Sequence, residues 1–244
     1  MSLFKFDTHM HLDLYKNRDE IIKHIEKEKS YTIAMTNLPI LFEKYINLYN
    51  NLKYIKFALG FHPELVCEYQ NQLPIFLKNL NRTRYIGEIG LDYTVKDEMN
   101  KSVQREVFTK IINECSNFGD KILSVHSRKA VKDVIELIGN FNGKVILHWF
   151  TGSSKELQKS IENGYYFSVN HQMIKNKSGQ KLISEMPLER ILVESDAPFT
   201  LNLKEVYSTS FMDIIIRYLS IQRKISENKI SVQLKNNFKD ILIN

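Results

Sequence analysis

"RYIGEIGLDYTVKDEMNKSVQREVFTKIINECSNFGDKILSVH" (84–126) reads as one strand–helix–strand unit. The runs at 84–89 and 121–126 are short, apolar and partly β-branched, as buried strands are. The stretch between them, 104–119, has helical periodicity and ends at Gly119, where a helix can stop and turn. Strands joined through a helix pair in parallel. Each strand also ends on a group that can do chemistry, Glu88 in the first and His126 in the second.

The same unit recurs outward in both directions. Further strands are expected at 4–11, 31–36, 55–61, 144–149, 165–169 and 190–194, with amphipathic stretches such as 18–29 and 128–140 between them. In the latter, Val131, Val134, Ile135 and Ile138 follow the i, i+3, i+4, i+7 stripe of a one-faced helix. Gly139, Gly143 and Gly164 fall where helices should give way to strands. Eight strands alternating with helices predict a TIM-type (β/α)8 barrel, one domain spanning 1–244. A doubly wound open sheet is the structural alternative.

The composition suits this and narrows the function. Of 244 residues, 43% are hydrophobic and 25% charged, ordinary for a globular protein. Apolar runs are too short to cross a bilayer, and charge at Lys5 and Asp7 breaks any signal-peptide pattern, so a cytoplasmic protein is expected. Cys67 and Cys115 are too few for a disulfide framework and lack metal-type spacing. The net charge of +6 suits a polyanionic partner, although no glycine-rich phosphate loop or zinc-finger spacing accompanies it.

In a barrel of this kind, functional residues gather at the carboxyl ends of the strands. Of seven histidines, His9 and His11 close the first strand, His62 follows the third, His126 closes the fifth, His148 the sixth, and His171 lies past the seventh. Residues two apart on a strand share a face, so His9 and His11 point the same way. Only His24 falls within a helix, where a solvated position is expected. Glu88 ends the fourth strand and Asp196 follows the eighth. Four imidazoles and two carboxylates suit Zn²⁺, Mn²⁺ or Co²⁺, and Mg²⁺ less naturally. That set is more than one tetrahedral ion needs, so two divalent ions are expected. His9, His11 and Asp196 are grouped on one, His126 and His148 on the other, with Glu88 as the bridge.

The motifs "FDTHMHLD", "ALGFHP", "IGEIGLDY", "SVHSR", "LHWFTGS" and "LVESDAP", in this order, together with the closing "ENKISVQLKNNFKDIL", resemble the TatD family of metal-dependent deoxyribonucleases. The resemblance covers nearly the whole chain. It implies a TIM barrel, divalent metals and hydrolysis of DNA, commonly as a 3′-to-5′ exonuclease on single strands. It also implies that His9, His11, Glu88, His126, His148 and Asp196 hold metal, and that His62 and Arg128 meet substrate phosphate. Asp196 is then the expected proton acceptor. Asp7, Asp92 and Glu194 are open between holding a ligand in place and ordinary loop or packing roles. The eighth-strand block reads Glu-Ser-Asp-Ala-Pro where Glu-Thr-Asp-Ser-Pro is commoner. Trp149 replaces a smaller residue beside His148 and is open between stacking on a base and packing in the barrel. The blocks "LDLY", "TNLP", "FHPEL" and "HWFTGS" are further similar to the TatD-type member of the Qat anti-phage defence system, which implies other proteins of a defence complex as partners.

Two rivals stand beside the nuclease. An amidohydrolase-like C–N hydrolase on the same barrel often bridges its ions with a carboxylated lysine ending strand four, but this strand ends in Glu88. A non-catalytic DNA-binding subunit of a defence complex would be expected to have lost a ligand, and none is lost.

Overall fold

A computed structural model describes residues 4–200, 203–204 and 206–243. The eight strands are β1 (Phe6–Met10), β2 (Tyr31–Ala34), β3 (Ile55–Phe57), β4 (Tyr85–Gly90), β5 (Ile122–His126), β6 (Lys144–His148), β7 (Tyr166–Val169) and β8 (Ile191–Val193). All pair in parallel, β1 to β3 in one run and β4 to β8 in another.

Two irregular seams join these runs into a closed barrel. At one seam Leu59 N–H donates to Tyr85 O and Gly87 N–H to Leu59 O, each at 2.9 Å. At the other, Asp196 N–H donates to His9 O at 2.9 Å and His11 N–H to Ala197 O at 2.8 Å. Closure from β8 to β1 excludes the open doubly wound sheet and leaves no exposed sheet edge there. The chain is therefore a single α/β domain of the TIM-barrel type.

The second seam sits at the level of His9, His11 and Asp196, so three candidate ligands are fixed by the bonds that close the barrel. Asp7 reinforces it. Its Oδ1 accepts from Ser195 N–H at 2.9 Å and its Oδ2 from the Tyr207 hydroxyl at 2.9 Å.

Outside the barrel, helices cover the strands through one-faced apolar stripes. Val131, Val134, Ile135 and Ile138 are all buried in the helix Val131–Ile138. Each such side chain contributes about 1.5–3 kcal/mol when fully buried. The expected helix at 104–119 begins earlier, at Glu98, where the Asp97 side chain accepts from Met99 N–H. Its first turn is polar, so apolar periodicity could not reveal it. The third strand is shorter than the run 55–61, because Leu59 and Phe61 leave β2 and bond across to the β4 segment.

Inside the barrel, Ile33, Met35 and Ala58 form a separate small apolar cluster beneath the mouth. Gly87 makes room for it, since a Cβ there would lie 2.6 Å from Met35 Sδ. Any larger residue at 87 would push directly on its neighbour Glu88. Among the described residues, no helix is long and apolar enough to cross a membrane.

Candidate metal centre

The mouth at the carboxyl ends of the strands brings all six expected ligands together. Glu88 sits at the centre, buried, with its two oxygens turned to different partners. Oε1 lies 2.7 Å from His126 Nδ1 and 2.8 Å from His148 Nε2. Oε2 lies 3.2 Å from His11 Nε2 and 3.5 Å from His9 Nε2. Asp196 Oδ1 completes the second side, 3.6 Å from His11 Nε2 and 3.7 Å from His9 Nε2. His9, His11 and Asp196 thus gather as the sequence led us to expect, whereas His148 groups with His9 and Glu88, and His126 with His62 and Glu88. His9 also stands against the opposite side, its ring stacked on His148 at 4.0 Å between centroids.

Neighbouring side chains set which ring nitrogen faces the centre. His126 donates Nε2–H to Asp92 Oδ2 at 2.8 Å, which leaves Nδ1 facing Glu88. Asp92 is itself held by Thr94, whose backbone N–H donates to Oδ1 at 2.8 Å. His9 Nδ1 meets Ser124 Oγ at 2.8 Å, leaving Nε2 for the centre. Glu194 accepts from Trp149 N–H at 3.1 Å and from Asn170 Nδ2 at 2.9 Å, and it lies 3.8 Å from His148 Nδ1. So Asp92 and Glu194 do position site residues, and Asp7 accepts from His9 N–H at 3.2 Å. Ser124 was not singled out in the sequence, because a serine within a strand carries no local signal.

These residues fit divalent ions on chemical grounds. Ring nitrogens and carboxylate oxygens converge in three sets, each with its atoms within 4.8 Å of one another: His9, His11 and Asp196; His9, Glu88 and His148; His62, Glu88 and His126. His9 Nε2 and His11 Nε2, for example, lie 3.2 Å apart. Ligands bonded at about 2.0–2.2 Å to one ion lie about 3–3.6 Å from each other, close to the 3.2–3.7 Å that separates His9, His11, Glu88 Oε2 and Asp196. The field asks for positive charge too. Burial pulls His148 down, yet Glu88 and Glu194 outweigh it and hold the imidazole well above its ordinary pKa. Burial pushes Glu88 up, yet the ring nitrogens packed round it, those of His148, His11 and His126 among them, hold it well below the carboxylate range. A pair of cations would satisfy both carboxylates without protonating the rings.

His62 and Arg128 flank this cluster. His62 Nε2 lies 3.5 Å from Glu88 Oε2, within reach of a metal position. However, His62 Nδ1 accepts from Glu64 N–H at 3.3 Å, which places the ring proton on Nε2. Burial pushes the imidazole down to about 4, so the ring is neutral and presents an N–H donor. A donor faces phosphate better than it faces a cation. Arg128 is exposed and lines the same cavity of about 650 Å³. His171 is the first residue of a short helix and does not line that cavity. His24 is half-buried rather than solvated, edge-on to Tyr207 at 6.3 Å, because its helix turns that side toward the barrel. Asn37, Leu65 and Phe199 also line the cavity and had not been singled out.

The arrangement makes Asp92 testable. Asp92→Ala should weaken binding of the ion nearest His126 by about 10–100-fold, since a lost partner frees the ring to turn and change tautomer. Calorimetric titration with Zn²⁺ or Mn²⁺ reads this directly, with one of two binding steps weakened and the other retained.

Comparison with known proteins bears on the family and the fold. A family model described as TatD related DNase matches residues 6–242. The human deoxyribonuclease TATDN3 is 28% identical, over 96% of this chain and 93% of that protein. YabD of Bacillus subtilis, described as an uncharacterized metal-dependent hydrolase, is 28% identical over 80% of each chain. Among solved structures, the TatD homologue YjjV of Escherichia coli superposes with a TM-score of 0.85 at 20% identity, covering 97% of both chains.

Proposed function

Since this chain belongs to the TatD related DNase family, we propose that it is a divalent-metal-dependent phosphodiester hydrolase acting on DNA, a 3′-to-5′ exonuclease on single strands. The observation that carries the reading is the position of Glu88. One carboxylate turns one oxygen toward His126 and His148 and the other toward His9 and His11, as a bridge between two cations requires.

His9, His11 and Asp196 would hold one ion, His126 and His148 the other, and Glu88 both. Ions held there would lower the pKa of an attacking water and offset charge on the phosphoryl oxygens. The chain's own groups do the rest. Asp196, at the edge of the cluster 3.6 Å from His11 Nε2, is the chain's own candidate to accept the proton. The planar fork of Arg128 fits two phosphate oxygens, and His62 offers its Nε2–H to a third. The positive net charge of +6 supports attraction of a polyanion.

The decisive experiment is metal analysis followed by digestion of end-labelled single- and double-stranded DNA, with dihydropyrimidine and lactone panels alongside. Shortening of single strands from the 3′ end is expected. Turnover of the panels without cleavage of DNA would replace this reading with the amidohydrolase-like one.

Arg128→Ala and His62→Ala should each lower activity while leaving the metal-to-protein ratio nearly intact. For Arg128→Ala, the slope of log affinity against log salt should fall by about one, the mark of one lost phosphate contact. An unchanged slope together with lost metal would move Arg128 off the phosphate.

A further inference from the structure

The floor of the catalytic cavity is polar, but its rim is not. Phe199 is 58% exposed and Leu14 47% exposed, and both line the cavity together with the half-buried Trp149. Exposed aromatic surface gathered at one mouth suggests a partner with flat apolar faces.

Both aromatic residues sit on backbone that is held in place before any ligand arrives. Phe199 follows Asp196 by three residues, and its N–H donates to Asp196 O at 2.8 Å. The same turn is braced by Ala197 N–H donating to Ser195 Oγ at 3.1 Å and by the Thr200 hydroxyl donating to Ser195 O. The Phe199 ring meets His11 edge-on, 5.4 Å between centroids, so its free face rises directly from the metal cluster. Trp149 directly follows His148 and has a left-handed backbone, φ 40°. A bulky residue rarely adopts that conformation. Here the buried Glu194 holds it there through Trp149 N–H, while one side of the indole packs on the core. Trp149 also borders a second cavity of about 310 Å³.

We infer that Phe199 and Trp149 form a stacking clamp for the nucleobase that flanks the scissile phosphate. This rests on the DNA reading above. Residues whose backbone is fixed in advance lose less freedom on binding, and stacking engages the π-face that every base carries. The clamp therefore selects unpaired bases without reading sequence, because a base in a duplex has both faces covered. It binds ground and transition states alike, so it acts on KM rather than on kcat.

The chain's one tryptophan is Trp149, so its fluorescence reports on this part of the rim alone. The test compares the metal-loaded protein on two single-stranded oligonucleotides, one natural and one with abasic sites at its last two 3′ positions. Hydrolysis-resistant phosphorothioate versions serve for binding. The natural strand should quench Trp149 and bind about 5- to 150-fold more tightly than the abasic strand, the range that stacking one base commands. Phe199→Leu, which keeps apolar bulk but removes the π-face, should raise KM for the natural strand by a similar factor with kcat little changed. It should lose nothing further on the abasic strand, and Phe199→Tyr should restore the KM.

Equal affinity for natural and abasic strands, or equal losses by Phe199→Leu on both, would overturn the clamp while leaving the nuclease intact. Binding without any change in Trp149 fluorescence would remove Trp149 from it. If neither strand is cut by the metal-loaded protein, the nuclease reading fails, and the clamp with it.

Discussion

Glu88→Gln is expected to strip both ions from the purified protein and to lower turnover by about 10³-fold or more. The exchange keeps volume and shape, so the barrel should fold, and the circular dichroism spectrum and melting temperature should stay close to those of the parent. What changes is charge. Among the described residues, Glu88 is the one carboxylate within 3.5 Å of the ring nitrogens on both sides, at 2.7 and 2.8 Å to His126 and His148 and 3.2 and 3.5 Å to His11 and His9. An amide offers one oxygen, no negative charge and an NH₂ group that would face one set of ring nitrogens. Removing a single electrostatic stabiliser of a transition state typically costs 10²–10³-fold, and here the same change also releases the cations. Elemental analysis that still finds about two ions per chain in Glu88→Gln would show that Glu88 is not the bridge.

Asp196→Asn should behave differently, and the contrast is the informative result. Asp196 Oδ1 stands at the outer edge of its group, 3.6 and 3.7 Å from His11 and His9, and five of the six expected ligands remain without it. Most of the metal should stay, and DNA should bind nearly as well. Turnover should nevertheless fall by about 10²–10⁴-fold, the usual contribution of a positioned general base. Asparagine at 196 also preserves the Asp196 N–H bond to His9 O that helps close the barrel, so stability should change little. Near-normal rates across pH 6–9 would free Asp196 from the role of proton acceptor.

Much of this was legible from the chain alone. The strand count followed from short apolar runs separated by helical stripes, since burial on both faces of a parallel sheet demands such runs. That the six candidate ligands gather at one mouth followed from where His9, His11, Glu88, His126, His148 and Asp196 fall relative to strand ends. Pairing within a strand was local too, because period-two alternation alone turns His9 and His11 to one face.

What tertiary structure decided was how these groups meet. No local pattern shows that Asp92 takes the Nε2 proton of His126, or that Ser124 on β5 turns the ring of His9 on β1. Nor does any local pattern show that Glu64 N–H makes His62 a donor. Those contacts join residues that are distant in sequence or set by one backbone turn, and they exist only once β8 has closed onto β1. The start of the helix at Glu98 was missed because its first turn is polar, and the half-burial of His24 because its helix docks that side on the barrel. Periodicity reports which way a side chain points from its own element. It carries no information on what the barrel's closure and stagger will place opposite that side chain, and in this protein the metal centre and its aromatic rim are both made of such oppositions.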